Sequence, residues 1–185
     1  MRFRQAQREI EVLEEQAKAG DRVLAYVDEA GFECVHPNRS AWTDRGQVHE
    51  IDATRGKRLN VLGAMLSTGE VLAAKLWQTT KGEAFIGFLG LLVNKVQGRP
   101  ITVILDNASI HKSKEIKPLV ELLKTRGLTL YFLPPYSPEL NRIERLWHKM
   151  KHTWLVPKCR NRQTLEADVE EIMDNFGSKY YFSFY

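Results

Sequence analysis

Asp28, Asp106 and Glu144 are the residues of this sequence best placed to do chemistry. Asp28 ends the apolar run Val23-Leu24-Ala25-Tyr26-Val27, and Asp106 ends a second run, Ile101-Thr102-Val103-Ile104-Leu105. Glu144 lies just inside a helix announced by Ser137-Pro138. Two carboxylates at strand ends and one on a helix can approach a hard cation from three different elements. Mg²⁺ takes such oxygen ligands, one or two carboxylates being completed by water and substrate phosphate. Two ions about 4 Å apart would serve the attacking and leaving oxygens of an in-line displacement at phosphorus. The expected cofactor is therefore a pair of Mg²⁺ ions, with Mn²⁺ as a substitute.

Taken singly, each carboxylate has an ordinary alternative. Asp106, followed by Asn107 and then His111, could cap a turn or a helix. Asp28 could simply end a strand, and Glu144 could pair with His148 one helical turn on. Position favours more for Asp106, because open α/β sheets bind ligands outside the carboxyl ends of their strands. On the helix expected from Pro138, Leu140, Ile143, Trp147, Met150 and Trp154 recur every three or four residues and form the core stripe. Asn141, Glu144, His148 and Lys151 form the polar stripe beside it. His148 and His152 lie four apart, but without a HExxH pattern or a third ligand they make no zinc site.

Net charge is +4, from 27 Lys+Arg against 23 Asp+Glu, and its distribution says more than its sum. Between Arg142 and Arg160 lie Arg142, Arg145, Lys149, Lys151, Lys158 and Arg160, opposed by Glu144 alone. A basic segment beside metal-binding carboxylates suits a polyphosphate backbone, although a solvated helix face would look the same. His111, Asn141, His148, Lys149, Lys151, Lys158 and Arg160 are the candidate nucleic-acid contacts.

The elements that must position these groups read as one domain with a substantial core, at 185 residues and 43% hydrophobic content. No stretch approaches the roughly 20 apolar residues of a membrane span. The N-terminus has no apolar signal core, and Cys34 and Cys159 lack metal or disulfide spacing, so a reducing cytoplasm with buried free thiols is expected.

Residues 2–18 predict a charged helix, with residues 1–20 as helix and linker and 21–185 as the main domain. Val23–Val27 predicts a strand, with Phe32–His36 as a hairpin arm turning at Gly31. Residues 37–56 read as a long polar loop. Arg58–Ser67 and Val71–Trp77 form a hairpin around Thr68-Gly69-Glu70. A helix over Glu83–Val96, the strand Ile101–Leu105, a helix from Ile116, the strand Leu128–Leu133, the Pro138 helix and a last helix over 164–176 complete the chain. That order predicts an α/β domain, a mixed central sheet of about five strands flanked by helices.

The stretch Leu133-Pro134-Pro135-Tyr136-Ser137-Pro138-Glu139-Leu140-Asn141-Arg142-Ile143-Glu144-Arg145-Leu146-Trp147 strongly resembles the signature of mariner-type transposases, in particular their bacterial insertion-sequence branch. Leu105-Asp106-Asn107 with His111 is similar to that family's second-aspartate motif, and Asp28-Glu29-Ala30 to its first. The 37 residues between Asp106 and Glu144 match the family spacing closely. The resemblance covers about residues 22–155 and implies an RNase H-like fold with an Asp28-Asp106-Glu144 catalytic triad. It departs at Arg142, where many relatives carry Pro. Such transposases also carry an upstream helix-turn-helix region, which is expected to lie outside these 185 residues.

The resemblance implies metal-dependent cleavage at transposon ends followed by strand transfer. The partners it implies are double-stranded DNA, a second copy in a homodimer on paired ends, and an upstream DNA-binding subunit; no membrane is involved. Two further readings stay open. One is an RNase H-like nuclease on hybrid or structured nucleic acid, and the other a truncated or frameshift-separated regulator of a full transposase. Three converging carboxylates also predict that, without metal, at least one has a raised pKa.

Overall fold

Five runs of alternating or wholly apolar residues build the sheet that organises this chain. The computed structural model describes residues 2–35, 44–47, 57–108, 111, 116–156 and 158–182. Its elements are α1 (Arg2–Ala19), β1 (Val23–Glu33), β2 (Arg58–Leu66), β3 (Val71–Leu76), α2 (Gly82–Lys95), β4 (Ile101–Leu105), α3 (Lys117–Lys124), β5 (Leu128–Phe132), α4 (Ile143–Lys149) and α5 (Arg162–Asp174). The sheet order is β3-β2-β1-β4-β5. β1, β4 and β5 run parallel, while β2 pairs antiparallel with both β1 and β3. The mixed five-stranded sheet is the one the element order predicts.

Strand alternation divides the core into two layers. Val23, Ala25 and Val27 of β1 face Phe85, Phe88, Leu89 and Leu92 of α2, with Val120 and Leu123 of α3 in the same cluster. Leu24, Tyr26, Ala30 and Phe32 face the opposite way, toward Ile10 of α1, Ile143, Leu146 and Trp147 of α4, and Leu165, Val169 and Ile172 of α5. All of Ile101–Leu105 is buried, as a parallel strand covered on both faces must be.

Two expectations fail in informative ways. β1 does not fold back at Gly31 but runs unbroken to Glu33, pairing with β2 from Ala25↔Leu66 to Glu33↔Arg58. Its inward alternation simply continues through Ala30 and Phe32, and the Arg58 side chain lies over Gly31 on the neighbouring strand. The second failure is the helix expected from Pro138. Pro138–Leu140 forms only a 3-10 turn, the Ser137 hydroxyl accepts no capping N–H, and Asn141 is extended at φ −97°, ψ 101°. α4 starts after that break, so Glu144 sits in its first turn, and Met150–Trp154 continues it as a π-helical turn. The 37–56 loop falls outside the described residues except for 44–47. Cys34 is buried as expected, whereas Cys159 is exposed.

Candidate active site

Parity and register bring the two aspartates together. Asp28 shares the face of Leu24 and Tyr26, and Asp106 continues the face of Ile104. The β1–β4 register runs from Val23↔Ile101 to Tyr26↔Ile104, and its next same-face step sets Asp28 beside Asp106. Adjacent strands lie about 4.8 Å apart, so the two carboxylates are neighbours at the carboxyl ends of parallel strands. α4 packs across this face, and its first turn adds Glu144. All three line one cleft of about 460 Å³, together with Asn107, Ala108, Asn141 and the Leu133–Pro138 segment.

The wall around each carboxylate is specific. Asp28 Oδ2 accepts the Trp147 indole N–H at 3.0 Å. Asp28 pairs with Gly63 across β1 and β2, where a Cβ would lie 2.5 Å from the Trp147 ring. Only glycine leaves room for the indole to reach the carboxylate. Asp106 Oδ1 accepts the Ala108 backbone N–H at 3.0 Å and faces His111 Nδ1 at 3.1 Å. The His111 ring lies on Phe85, centroids 4.4 Å apart. The Asn107 amide donates to the Leu133 carbonyl and ties the Asp106 loop to the Tyr-Ser-Pro segment.

The electrostatics follow from crowding and burial. Burial first, and then the Glu144 charge, push the Asp28 carboxyl up to about 7. The expected raised carboxylate is present, but desolvation contributes more to it than repulsion does. Burial also raises Glu144; Lys151 pulls it down and Asp106 pushes it up. Burial lowers His111 despite Asp106 beside it, which keeps the ring neutral near pH 7.

Among the described residues no three His, Cys, Asp or Glu side chains are drawn into a ready three-ligand cage. The convergence is thus looser than the sequence suggests. It still fits Mg²⁺, which needs one or two carboxylates and completes its octahedron with water and phosphate.

The candidate DNA contacts divide. His148, Lys149 and Lys151 are exposed on α4 and the π turn. His148 stacks on His152 at 4.6 Å, and Lys151 Nζ lies 5.7 Å from the Phe32 ring centroid. Lys158 is exposed but pairs with Asp168 at 2.9 Å. Arg160 is corrected outright: its side chain is 4% exposed and held by Asp168 and by the Val156 and Lys158 carbonyls. Asn141 is also buried, its amide donating to the Val27 carbonyl at 3.0 Å, because the break before α4 turns it inward. His111 faces Asp106 rather than solvent. Trp147 and Gly63 went unassigned by sequence reasoning, although a glycine inside a buried strand signals a close approach.

A profile described as DDE superfamily endonuclease matches residues 23–166, most of the chain and all three carboxylates. The chain belongs to the DDE endonuclease superfamily. Among curated relatives, this DDE domain is 30% identical over 137 residues to the insertion element IS630 uncharacterized 39 kDa protein of Shigella sonnei, covering 73% of this chain and 39% of that protein. It is 40% identical over 58 residues to the uncharacterized protein y4pE/y4sA of Sinorhizobium fredii, covering 31% of this chain and 38% of that one. The chain thus spans about two fifths of the length of these relatives. The fold matches the catalytic domain of Mos1 mariner transposase with TM-score 0.63 at 16% identity, covering 97% of this chain and 82% of that one. It matches the Mos1 paired-end complex with left transposon end at TM-score 0.64 and 20% identity, covering 92% of this chain and 53% of that one. These neighbours share the RNase H-like architecture.

Proposed function

We propose that this DDE domain is the catalytic part of a bacterial insertion-sequence transposase. It would cut DNA phosphodiesters at transposon ends and join the freed 3′-hydroxyl to target DNA. The observation that carries the reading is the single cleft shared by Asp28, Asp106 and Glu144, floored by the ends of two parallel strands. Family membership and the Tyr136-Ser137-Pro138 wall of the same cleft support it.

Asp28 and Asp106 would hold Mg²⁺ between them, or Mn²⁺ in its place, and Glu144 would complete the shell of one of two ions. When bound, the metal supplies Lewis acidity toward the scissile phosphate and its attacking oxygen. The chain's own groups do the positioning. Trp147 fixes the rotation of the Asp28 carboxylate through its N–H, and neutral His111 with the Ala108 N–H does the same for Asp106. The exposed Lys149, Lys151 and His148 lie on the helix that carries Glu144 and would meet the strand's phosphates.

The partners in this reading are two duplex transposon ends, the target duplex and a second copy of the protein, in a bacterial cytoplasm at the nucleoid. A helix-turn-helix part beyond these residues would read the ends. A side-by-side cleavage assay tests the reading. Duplex carrying the element's terminal inverted repeat should be nicked at the repeat end with Mg²⁺. Cleavage of an RNA–DNA hybrid with the terminal-repeat duplex left intact would overturn it.

A further inference from the structure

We propose that Glu14 on α1 is a positioning residue for Glu144, acting through Arg142, so that α1 is part of the catalytic unit rather than a linker. The inference rests on the reading of Glu144 as a metal ligand. α1 crosses the sheet along one row of side chains. Tyr26, Ile104 and Tyr131 are register partners on β1, β4 and β5. The two tyrosine hydroxyls at the ends of that row donate to α1 carboxylates, Tyr131 to Glu9 at 2.6 Å and Tyr26 to Glu14 at 2.5 Å. The next row on the same face carries Asp28 and Asp106. α1 therefore lies one row of side chains from the aspartate pair.

The Glu14 oxygen that accepts Tyr26 also accepts Arg142 Nη2 at 2.5 Å. The Arg142 guanidinium lies 5.7 Å from the Tyr26 ring centroid, so the three groups form one joint. Glu14's side chain is 19% exposed and Arg142's 40%, so the carboxylate is half-buried while the guanidinium still meets water. A half-buried carboxylate that accepts from both a hydroxyl and a guanidinium is held more firmly than one in a lone surface pair.

Arg142 stands where the chain bends into α4. Asn141 before it is extended, Arg142 itself is helical at φ −58°, ψ −28°, and no side chain caps the helix start. Ile143, Leu146 and Trp147 seat α4 in the core, and the hold on Arg142 sets the entry to the first turn, where Glu144 lies. A proline at this position would lock φ near −65° by its ring and favour an extended residue before it. This backbone already has both features. Arg142 has no such ring and is tethered to α1 instead.

Isothermal titration of the metal-free protein with Mn²⁺ reads the position of Glu144 independently of turnover. Glu14→Gln should weaken Mn²⁺ binding about tenfold, as loss of a group that orients a ligand does. In an Arg142→Pro background, the ring holds φ without α1, and Glu14→Gln should then change affinity by less than about twofold. A thermal melt run alongside tracks simple loss of stability. A lower melting temperature with Mn²⁺ affinity unchanged in Glu14→Gln would overturn the positioning role. So would an equal loss of affinity in the Arg142→Pro background. Absence of Mn²⁺ binding by the wild type would instead overturn the metal reading of the cleft, and this inference with it.

Discussion

Trp147 donates its indole N–H to Asp28 Oδ2 at 3.0 Å, so a residue of the α4 core stripe is also a partner of a carboxylate in the cleft. The contact exists because Gly63, opposite Asp28 on β2, leaves the ring's place unfilled. Trp147→Phe keeps the aromatic filling and removes the donor. The single-turnover nicking rate should fall about fivefold, near 1 kcal/mol for one hydrogen bond, with DNA affinity unchanged. Gly63→Ala sets a Cβ 2.5 Å from the ring and should destabilise the fold by about 1–3 kcal/mol in urea titration. Wild-type stability in Gly63→Ala would show that the ring is not held against β2.

Stability without metal should depend on pH through Asp28. Its carboxyl is pushed up to about 7 in the folded chain, whereas an exposed Asp titrates near 3.9. The folded state thus keeps a proton that the unfolded chain releases across that window. The contribution is complete below about pH 4 and is lost as pH rises through about 7. Asp28→Asn should match wild type at pH 4 and exceed it at pH 8, both measured in chelator. Parallel stability curves would contradict the burial of this group.

The exposed cations should separate from the buried one by salt dependence. Lys149→Ala and Lys151→Ala should each reduce the log–log salt slope of duplex binding by about 0.9. Arg160→Ala should leave that slope alone and lower the stability of the fold by roughly 1–3 kcal/mol, because its hydrogen bonds are internal. A reduced slope in Arg160→Ala would return it to the DNA surface.

How far the sequence was legible depended on the range of the interaction involved. Val23–Val27 and Ile101–Leu105 announce buried parallel strands by apolar runs, and the aspartates follow at their ends. The Tyr136-Ser137-Pro138 segment and Glu144 were readable because the motif is contiguous. Arg160 misled because charge alone does not reveal that Asp168 and two carbonyls enclose it. The extended Asn141 misled because Ser137-Pro138 looks like a helix start while the chain makes only one 3-10 turn there. Gly63 against Trp147, and Glu14 against Arg142, are contacts between segments far apart in the chain; a glycine in a buried strand signals a close approach without naming its partner, and no local pattern points from Glu14 to Arg142.

The central claim is that Asp28, Asp106 and Glu144 act as one metal-dependent site, and a nicking assay on terminal-repeat DNA with Mg²⁺ tests it most directly. Asp28→Asn, Asp106→Asn and Glu144→Gln should each lower the rate by at least about a hundredfold. All three should remain folded, and the Asp variants should lack the Mg²⁺-induced rise in melting temperature that the wild type should show. Full nicking activity in Asp106→Asn, with that rise retained, would contradict the account.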